Sequence, residues 1–395
     1  MKVFIVAQFF PPLNVIGSVR SYQLAKYLSN LGHAVTVFTS LDNYASKDYA
    51  VDLSGIKVIN VPNSNLVGFL DAANTNFIKI NIFKQILRNI TYPDHFVSKV
   101  NQYIDTIESE IKVQGEPDIL FTMALPFSLH LVGRGLKNKY INMKWIADNR
   151  DLWAVSPYRK WPLFLRGIDR LYEKRVLNTA DLVSVVTNHM KGMMSKYLDL
   201  DILVVLNGYS QESVIAKDKV DSKNFIYTGS LYNGLRDLSP LFESLKLIDN
   251  KDEIHFYGSE KNIVSNYQHD YPMLNIKHFD KVSKEQVRLI QNNAKYLLIA
   301  LGTDDFEKGV LTGKFFEYVG SGKRIIAICD EDSELASLIN KYKLGIATRS
   351  SEKISKFLES DSFTENQIPE ELLIDNQFLK IKEMFISLSK ELDDI

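Results

Sequence analysis

Short runs rich in β-branched and apolar residues alternate with segments of helical period along this chain. Residues 2–7 read KVFIVA, and the segment after them places Leu24, Tyr27, Leu28 and Leu31 on one face of a helix. Parallel strands need a crossover connection, which is usually a helix, so this alternation is typical of βαβ units. The pattern predicts an α/β fold built from open, doubly wound parallel sheets.

The predicted strands fall into two sets. The first set covers residues 2–7, 34–39, 57–61, 119–122, 144–147 and 182–186, with a further short run at 203–206. The second set covers residues 224–227, 253–257, 274–278, 296–299 and 324–329. The polar segment 210–223 between the sets is the best linker candidate, with a domain boundary near Asn207. A single hydrophobic core rarely serves a chain of 395 residues, so two domains are expected.

We therefore predict one Rossmann-like domain over residues 1–206 and a second over residues 207–372. Residues 373–395 have a helical pattern and are predicted to pack back on the first domain. Two such sheets leave a central cleft between the carboxyl ends of their strands, and ligands of open α/β sheets usually bind at those ends.

The composition narrows the possible partners and compartments. The chain carries 47 basic and 48 acidic residues, so its bulk charge does not favour nucleic acid. Cys329 is the one cysteine, which rules out a disulfide framework and favours a reducing compartment. The N-terminal apolar run is broken by Gln8, Pro11 and Pro12, too early for a signal peptide. No stretch approaches the roughly 20 apolar residues of a membrane span. We expect a cytoplasmic protein.

Residues 311–327 carry the clearest ligand-binding pattern. Gly313 precedes a short amphipathic segment that contains the acid Glu317, and Gly320 and Gly322 close this segment before an apolar run. A helix N-terminus presents unpaired N–H groups and a partial positive charge, so it binds phosphate readily. An acid one or two turns into such a helix can accept hydrogen bonds from ribose hydroxyls. The combination predicts a cradle for a nucleoside diphosphate.

The connection after the first predicted strand is a second candidate for ligand contact. Pro11 and Pro12 stiffen this loop, and Gly17 lets a ligand approach the backbone where a helix opens at Ser18. One interpretation is a loop over sugar and phosphate, with Arg20 nearby. The other is an ordinary loop with Ser18 as the helix N-cap.

Polar residues follow two later strands of the first set. Asp148, Arg150 and Asp151 come at a strand end, where they can hold substrate hydroxyls or each other. The alternative is a structural Asp–Arg pair that caps a helix. His130 also follows a strand, and it is either a general base or acceptor contact, or a structural residue in the first turn of a helix.

The first strand of the second set leads into a glycine-containing turn. Ser230 and nearby backbone amides could contact a phosphate there, and Arg236 could neutralise its charge. The alternative is a plain turn with a surface arginine. Tyr257 ends the next strand, and its position alone places it at one wall of a base pocket.

Two acid clusters, at residues 303–305 and 330–332, superficially resemble metal sites. Neither has an associated histidine, and both are equally well explained as solvated loops. No obligatory metal is predicted.

Two segments mix bulky apolar residues with basic ones. They cover residues 77–88 and 159–166, and Arg170, Lys174 and Arg175 follow the second segment. Such segments can lie in an anionic membrane interface, or they can be amphipathic helices of the domain itself.

Taken together, the motifs resemble those of the family 4 glycosyltransferases, in particular the bacterial branch that builds capsule and O-antigen polysaccharide. The resemblance covers most of the chain. It rests on FPP at 10–12 with Gly17 and Arg20, GHAVT at 32–36, PFSLH at 126–130, WIADNRDLW at 145–153, NG at 207–208, YTGS at 227–230 and GKFFEY at 313–318.

The resemblance implies the two-domain GT-B fold, with a C-terminal helix that returns to the first domain. It also implies metal-independent transfer from a nucleotide-activated sugar, usually a UDP-sugar, with retention at the anomeric carbon. In that mechanism a helix dipole and basic side chains stabilise the departing diphosphate. The donor phosphate helps to deprotonate the acceptor, so the mechanism needs no protein nucleophile, and no cofactor is expected beyond the donor substrate.

The resemblance divides the candidate residues among three roles. The first domain would bind the acceptor and the second the nucleotide sugar. The donor-binding residues are Gly17, Ser230, Arg236, Tyr257, Val310, Leu311, Lys314 and Glu317. The acceptor-binding residues are Arg20, Ser128 and Asp151, and the catalytic residues are His130, Asp148 and Arg150.

The sequence departs from the family pattern at the donor sugar. Many members carry two glutamates separated by seven residues. Glu317 matches the second, which is the expected ribose ligand, but Gly309 stands at the first position. Asp304, Asp305 or Glu307 would then meet the hydroxyls of the donor sugar.

A second departure concerns the phosphate-binding cations. The usual Arg and Lys pair after the first strand of the second domain is reduced to Arg236. Lys314 either supplies the missing charge or is a solvated helix residue.

We therefore expect a cytoplasmic enzyme that is peripheral on the inner membrane face. It would move a hexose or N-acetylaminosugar from a UDP-sugar to a saccharide linked to polyprenyl diphosphate, in surface polysaccharide assembly. Two alternatives stay open. One is a UDP-sugar epimerase of the same architecture. The other is a non-catalytic nucleotide-sugar-binding scaffold, which the missing glutamate at position 309 keeps open.

Overall fold

The computed structural model describes residues 1–40, 49–62, 91–156, 163–210, 225–360 and 366–393. The amphipathic segment 77–88, residues 159–162 and all but the first residue of the predicted linker lie outside the described residues. The chain forms two compact units. The first unit contains Met1–Val186, Met190–Val205 and Lys380–Ile395, and the second contains Thr187–His189 and Leu206–Leu379.

A parallel sheet of seven strands forms the centre of the first unit. The strands are β1 (Lys2–Ala7), β2 (Ala34–Thr39), β3 (Ile56–Asn60), β4 (Ile119–Ala124), β5 (Lys144–Asn149), β6 (Leu182–Val185) and β7 (Ile202–Val204). Their order in the sheet is β3-β2-β1-β4-β5-β6-β7. The helices of this part of the chain are α1 (Ile16–Asn30), α2 (Val100–Gln114), α3 (Leu129–Lys139), α4 (Leu163–Leu177) and α5 (Asn188–Met194), and a 3-10 turn covers His95–Lys99.

The second unit is built around a parallel sheet of six strands. They are β8 (Phe225–Thr228), β9 (Glu253–Tyr257), β10 (Asn275–Phe279), β11 (Tyr296–Ala300), β12 (Arg324–Ile328) and β13 (Gly345–Ala347), in the order β10-β9-β8-β11-β12-β13. The helices are α6 (Ser239–Leu247), α7 (Lys261–Asp270), α8 (Lys284–Asn292), α9 (Gly313–Ser321), α10 (Glu334–Lys341) and α11 (Ser351–Ser360), with 3-10 turns at Asp305–Gly309 and Glu370–Leu372. The last helix, α12 (Ile374–Asp393), begins in this unit, and its residues from Lys380 onward belong to the first unit.

Each sheet has a point where the strand order reverses. The reversal lies between β1 and β4 in the first unit and between β8 and β11 in the second. Loops diverge at such a point and leave a crevice at the carboxyl ends of the strands. The connections after β1, β4, β8 and β11 are therefore where ligand contacts are expected within each unit.

The predicted α/β class and the two doubly wound parallel sheets are confirmed. Three predicted strands match the observed bounds and the others differ by one to two residues at an end, whereas the three-residue strand β13 was not predicted. Central strands such as β4 and β11 are buried along their whole length, as expected for sheets covered on both faces by helices.

The start of α1 corrects one prediction. The helix begins at Ile16, and its N-cap is Val15 in an extended conformation with no side-chain capping bond. Ser18 is therefore not the N-cap: its backbone N–H already donates to the Val15 carbonyl at 2.9 Å, and its hydroxyl is buried in the first turn. The helix ends as predicted, because Gly32 follows it with a φ of +81°.

Across the described residues, no helix is both long enough and apolar enough to cross a membrane.

Candidate functional site

The turn after β8 brings a glycine against a lysine of α9. Gly229 has a φ of +95°, which side-chain-bearing residues rarely adopt. A Cβ atom at this position would lie 3.1 Å from Cε and 3.3 Å from Nζ of Lys314. Glycine is thus required both by the backbone conformation and by the approach of the lysine. The carboxyl end of β8 consequently has the side-chain nitrogen of Lys314 directly beside its backbone.

Lys314 occupies the first turn of α9 in a largely desolvated position. Its Nζ lies over the ring of Tyr227, 4.1 Å from the centroid. Burial, aided by the charge of Arg236 and opposed by Glu317 and Glu260, lowers the pKa of Lys314 to about 7. Among the described residues Lys314 makes no ion pair, so its charge is available to an incoming anion.

Arg236 provides a second cation beside Lys314. Its guanidinium stacks on the Tyr232 ring with Cζ 4.2 Å from the centroid, and the side chain is buried. Its Nε finds no hydrogen-bond acceptor within the described part of the chain. A buried donor without a partner carries a free-energy cost that a bound oxyanion would relieve.

Glu260 already occupies the turn that was predicted to bind phosphate. Its carboxylate accepts hydrogen bonds from Ser230 Oγ at 2.5 Å, from the Leu231 N–H at 2.7 Å and from the Asn233 N–H at 3.4 Å. Burial acts to raise the pKa of Glu260, but the hydrogen bonds from Ser230 and Leu231 outweigh it and hold the pKa at about 2. A phosphate at the predicted contact would therefore have to displace Glu260 from the Ser230 hydroxyl. The sequence analysis did not identify Glu260.

The N-terminus of α9 lacks a side-chain cap. Its N-cap residue, Thr312, has an extended conformation, and its hydroxyl is buried without a partner in the described structure. Val310 and Leu311 lead into this end as a half-buried extended segment. Gly322 ends the helix with a φ of +69°, as predicted. The N-terminus of α9 thus gathers several hydrogen-bond donors: the free backbone N–H groups, the Thr312 hydroxyl and the side chain of Lys314.

Glu317 is exposed one turn further along α9 and has one described partner. Gln291 Nε2 donates to Glu317 Oε2 at 3.2 Å, and the buried Gln291 comes from the end of α8. Gln291 orients the carboxylate and leaves its other oxygen accessible. No spacing in the sequence relates Gln291 to Glu317, so this partner could be found only in the folded chain.

The structure explains why no acid stands at position 309. A Cβ atom on Gly309 would lie 2.3 Å from Cδ2 and 2.8 Å from Cβ of His189, which is closer than real side chains approach. The predicted substitutes for that acid differ in availability. Glu307 is buried and accepts a bond from the Gly302 N–H at 3.1 Å, and Asp305 pairs with Lys308 at 3.3 Å. Asp304 is exposed.

Replacing Gly309 with alanine is expected to lower the free energy of unfolding by about 1–3 kcal/mol, because the methyl group must displace the His189 ring. Thermal unfolding followed by calorimetry measures the effect. Gly313→Ala is the matched control, since nothing lies within 4 Å of its added Cβ. Adding His189→Ala to Gly309→Ala should restore part of the loss. A Gly309→Ala variant as stable as the parent would contradict the steric account.

Tyr257 stands at the carboxyl end of β9 and stacks on Phe279 of β10. The two ring centroids are 4.6 Å apart and the planes are inclined by 12°. Both rings are half-buried, and burial raises the pKa of Tyr257. This pair offers a flat apolar surface next to the β8 turn, on the side that was predicted to hold a base.

In the first unit, Arg20 and Asp148 hold each other. Arg20 Nε donates to Asp148 Oδ2 at 2.8 Å and Nη2 to Oδ1 at 2.7 Å, and Ser184 Oγ donates to Oδ1 at 2.7 Å. Both charged side chains are buried. Burial alone would raise the pKa of Asp148, but the charge of Arg20 keeps it below its ordinary value. The partner of Asp148 is therefore Arg20, from α1, which the sequence did not relate to it.

His130 is fully buried in a neighbouring network. Its Nδ1 lies 2.8 Å from Thr122 Oγ1, and its Nε2 lies 3.1 Å from Asn149 Oδ1. Trp145 Nε1, which can only donate, bonds to Thr122 Oγ1 at 2.9 Å. The Thr122 hydroxyl is therefore free to donate to Nδ1, which assigns the His130 proton to Nε2.

Burial lowers the pKa of His130 to about 4, so the imidazole is neutral at physiological pH. A side chain without exposed surface is not placed to touch an acceptor. Its direct use as a general base is thus not supported by this geometry, which instead gives it a part in holding Asn149.

Ser128 is held by a half-buried acid that the sequence did not point to. Asp94 accepts from Ser128 Oγ at 2.7 Å and from the Ser128 N–H at 3.1 Å. Burial raises the pKa of Asp94 in spite of these bonds. The proposed acceptor contact of Ser128 would have to share its hydroxyl with Asp94.

A small cavity opens at the carboxyl ends of β1, β4 and β5. It is lined by Ala7, Gln8, Phe9, Gly17, Arg20, Met123, Ala124, Leu125 and Arg150. Arg150 Nε is 3.6 Å from Asp151 Oδ2, beyond hydrogen-bonding distance, and it has no other acceptor in the described structure. Burial lowers the pKa of Arg150, and Asp151 opposes this. The structure therefore brings Gly17, Arg20 and Arg150 to one cavity, with Asp151 beside it.

Four of the five acids in the two clusters flagged in the sequence pair with basic residues, and the fifth, Asp304, is exposed. Asp330 pairs with Arg349 at 2.6 Å and Glu331 with Lys353 at 2.6 Å. Within the described residues, no three His, Cys, Asp or Glu side chains converge as metal ligands.

The chain is similar to solved structures over nearly its whole length. It shares 14% identity with a glycosyltransferase from Rickettsia africae ESF-5, with a TM-score of 0.65 and coverage of 98% of both chains. For a sucrose-phosphate synthase from Thermosynechococcus elongatus the identity is 11% and the TM-score 0.65, covering 99% of this chain and 100% of the other. For TarM of S. aureus, solved with UDP, the identity is 10% and the TM-score is 0.58, with coverage of 97% of this chain and 99% of the other.

No family model matches the chain, and no curated protein sequence matches it either. At these identities the structural likeness establishes the fold alone. That fold is the GT-B architecture of two Rossmann-like domains.

Proposed function

We propose that the protein is a glycosyltransferase that takes its sugar from a nucleotide sugar, specifically a UDP-sugar, bound in the second unit. One observation carries the proposal. Lys314 lies against Gly229 where β8 ends, the charge of the buried Arg236 acts on Lys314, and neither cation has a carboxylate partner in the described structure. Strand β8 is next to the reversal point of the sheet. A diphosphate satisfies both cations at once.

The leaving group defines what these residues do chemically. Cleavage of the bond between sugar and phosphate puts negative charge on the diphosphate. Lys314, Arg236 and the uncapped amide end of α9 are fixed donors that meet this charge without reorganising. The Thr312 hydroxyl, buried without a described partner, adds one further donor. We propose that transfer proceeds with retention and without a metal, as the resemblance to family 4 implies.

Glu317 is the proposed ligand of the ribose hydroxyls. Gln291 fixes one carboxylate oxygen, and exposure leaves the other free to accept two hydroxyl donors. The Tyr257–Phe279 pair is the proposed wall for the base. For the donor sugar, Glu307 and Asp305 are engaged elsewhere, which leaves Asp304 as the proposed acid.

The cavity of the first unit is the proposed acceptor site. Arg150 and Arg20 line it, Asp151 lies beside Arg150, and the buried Asp148 pairs with Arg20. A guanidinium with a free donor suits a negatively charged acceptor, such as a saccharide on polyprenyl diphosphate. We propose surface polysaccharide assembly at the inner membrane face as the setting.

Replacing Glu317 with alanine is expected to raise the KM for the donor about tenfold to a hundredfold, because two charge-assisted hydrogen bonds to the ribose are lost. Steady-state kinetics with varied UDP-sugar measures the change. Glu359→Ala removes another exposed acid of the same unit and should leave KM unchanged. Unaltered donor kinetics in Glu317→Ala would exclude the ribose assignment.

The nucleotide is tested by thermal unfolding in the presence of a panel of nucleotide sugars. A ligand at a hundred times its Kd raises the free energy of unfolding by about 2.7 kcal/mol. UDP-sugars are expected to raise Tm, and GDP- and ADP-sugars to raise it less. Stabilisation by another nucleotide sugar, with none from any UDP-sugar, would show that the donor class is wrong.

A further inference from the structure

The turn after β8, at residues 230–234, has a backbone shaped to hold an anion. Three consecutive residues have φ in the left-handed region, at 53°, 55° and 86°: Tyr232, Asn233 and Gly234. Backbone curled in this way directs neighbouring N–H groups to one point and makes a small anion-binding concavity. The N–H groups of Leu231 and Asn233 and the Ser230 hydroxyl all donate to Glu260 there. The concavity is therefore filled by a carboxylate of the chain itself.

Glu260 is fixed at this place from both sides. It is the N-cap residue of α7, and its carbonyl accepts from the Ile263 and Val264 N–H groups at 3.1 Å. The preceding residue, Ser259, is buried, and its hydroxyl donates to the Gly229 carbonyl at 2.7 Å. Burial acts to raise the pKa of Glu260, but the hydrogen bonds to its carboxylate keep this pKa at about 2. The turn after β8 thus holds a negative charge that persists at neutral pH.

The charge of Glu260 acts on a cation that is proposed to bind the diphosphate. Tyr227 lies between the two groups: its hydroxyl donates to the Ser230 carbonyl at 2.9 Å, and Lys314 Nζ lies over its ring. Desolvation lowers the pKa of Lys314, and the charges of Glu317 and Glu260 oppose this lowering. A carboxylate that acts on the ammonium also acts on an anion bound to that ammonium. Its repulsion of the anion grows with the charge of the anion.

The donor and the product of the proposed reaction differ in this charge. In a nucleotide sugar the terminal phosphate is esterified by the sugar and carries one negative charge. After transfer the same phosphate is free, and its second ionisation, with a pKa of about 6, adds a further negative charge at neutral pH. Lys314 and Arg236 attract this more highly charged product more strongly than the donor. Glu260 offsets that preference, because it repels the product more.

We propose that Glu260 is a specificity-determining residue of the donor site. Its carboxylate occupies the turn after β8 in place of a phosphate, and its charge shifts the selectivity of the site from free UDP towards the UDP-sugar. The site therefore favours a diphosphate that is esterified at both ends and releases UDP after transfer. This inference rests on the proposed function, because it requires the diphosphate to bind beside Lys314.

Calorimetric titration of the full-length protein with UDP, and with the UDP-sugar selected by thermal stabilisation, gives the ratio of their two Kd values at about pH 7.5, where UDP carries its additional charge. Glu260→Gln removes the negative charge and keeps an oxygen that can accept from Ser230 and Leu231. Relative to the UDP-sugar, this variant is expected to bind UDP about fivefold to tenfold more tightly than the parent does. Loss of the carboxylate also favours deprotonation of Lys314, but both ligands bind the same ammonium, so this effect cancels in the ratio.

Three further variants control the measurement. Glu260→Ala, which frees all three donors of the turn, should shift the ratio in the same direction as Glu260→Gln. Glu260→Asp keeps the charge and should keep the ratio of the parent. Glu253→Gln should also leave the ratio unchanged, since Glu253 lies at the opposite end of β9 and pairs there with Lys277. Thermal unfolding without ligand shows that each variant is folded.

The ratio distinguishes a role in selectivity from a structural one. If Glu260 only stabilises the turn, its replacement weakens the binding of UDP and of the UDP-sugar by the same factor. A ratio that is unchanged in the folded Glu260 variants, or that moves towards the UDP-sugar, would overturn the inference and leave the proposed function intact. If the parent binds neither ligand, the proposed function fails and this inference fails with it.

Discussion

Replacing Lys314 with alanine is expected to weaken donor binding about a hundredfold, because a desolvated charge-assisted contact with the diphosphate is worth roughly 3 kcal/mol. The Nζ atom lies over the Tyr227 ring and beside Gly229, so no other described cation except Arg236 can take its place. The variant should not be less stable than the parent. A desolvated ammonium without a counter-ion opposes folding, and its removal ends that cost.

The same lysine makes donor binding depend on pH. With a pKa of about 7 in the free protein, Lys314 is partly deprotonated at neutral pH. The bound diphosphate favours the ammonium and raises this pKa, so binding takes up a proton. Affinity should be constant well below pH 7. Above pH 7, Kd should rise by up to about tenfold per pH unit until the pKa of the complex is reached.

Calorimetric titration with a UDP-sugar in buffers of different ionisation enthalpy measures both affinity and proton uptake. Lys314→Arg should remove the pH dependence between 7 and 9, because a guanidinium stays protonated there. Lys308→Ala is the control, since Lys308 pairs with Asp305 and Asp332 at the surface of the same unit. If Lys314→Ala bound UDP as tightly as the parent, the diphosphate would have to lie elsewhere.

Replacing Asp148 with alanine is expected to lower the free energy of unfolding by about 3–5 kcal/mol, because the buried guanidinium of Arg20 loses its carboxylate. Urea titration followed by tryptophan fluorescence is suited to the measurement. All three tryptophans, Trp145, Trp153 and Trp161, fall in the first half of the chain, so the signal reports on the first unit. Activity should fall with it, since Arg20 lines the proposed acceptor cavity.

Two controls test whether the stability lost in Asp148→Ala comes from leaving a buried charge unpaired. Asp52→Ala breaks the exposed Lys26–Asp52 pair, whose N–O distance is 2.6 Å, and should cost less than about 1 kcal/mol. The double replacement Arg20→Met/Asp148→Leu removes both buried charges and should recover most of the stability lost in Asp148→Ala. A loss in Asp148→Ala no larger than that in Asp52→Ala would show that the buried pair does not hold the first unit together.

The fold could be predicted from the sequence because its elements are marked locally. A strand buried on both faces is rich in apolar residues, and β1, β2 and β9 were located to the residue. β13 has only three residues, Gly345–Ala347, and a run that short has no periodicity to detect. The start of α1 was misplaced because Ser18 is a common N-cap type, whereas Val15 takes that position without any side-chain bond.

The site could be predicted only in part, since its partners meet through tertiary contacts. Gly229 and Lys314 were both flagged, but their contact joins residues far apart in sequence. Glu260 holds the Ser230 turn from the N-terminus of α7, and Gln291 reaches Glu317 from α8. The sequence shows that an acid is missing at Gly309. Only the folded chain shows His189 in the space that an acid would need.

Burial likewise decides which roles the candidate residues of the first unit can have. His130 and Asp148 are residue types that catalyse reactions when exposed, yet both are buried and bonded to neighbours. Arg150 keeps a buried donor without a described acceptor, and so it is the residue of this group best placed to meet a ligand. Residue type and strand-end position are readable in a sequence, but solvent access is not.

The central claim is acceptor-dependent transfer of a sugar from a UDP-sugar, and product analysis tests it most directly. The protein is incubated with a labelled UDP-sugar, chosen by thermal stabilisation, with and without a polyprenyl-diphosphate saccharide. The account predicts labelled lipid product and UDP release that require the acceptor, both reduced about a hundredfold in Lys314→Ala. Rapid UDP release with an epimerised sugar in the absence of acceptor, or tight donor binding with no product under any condition, would contradict it.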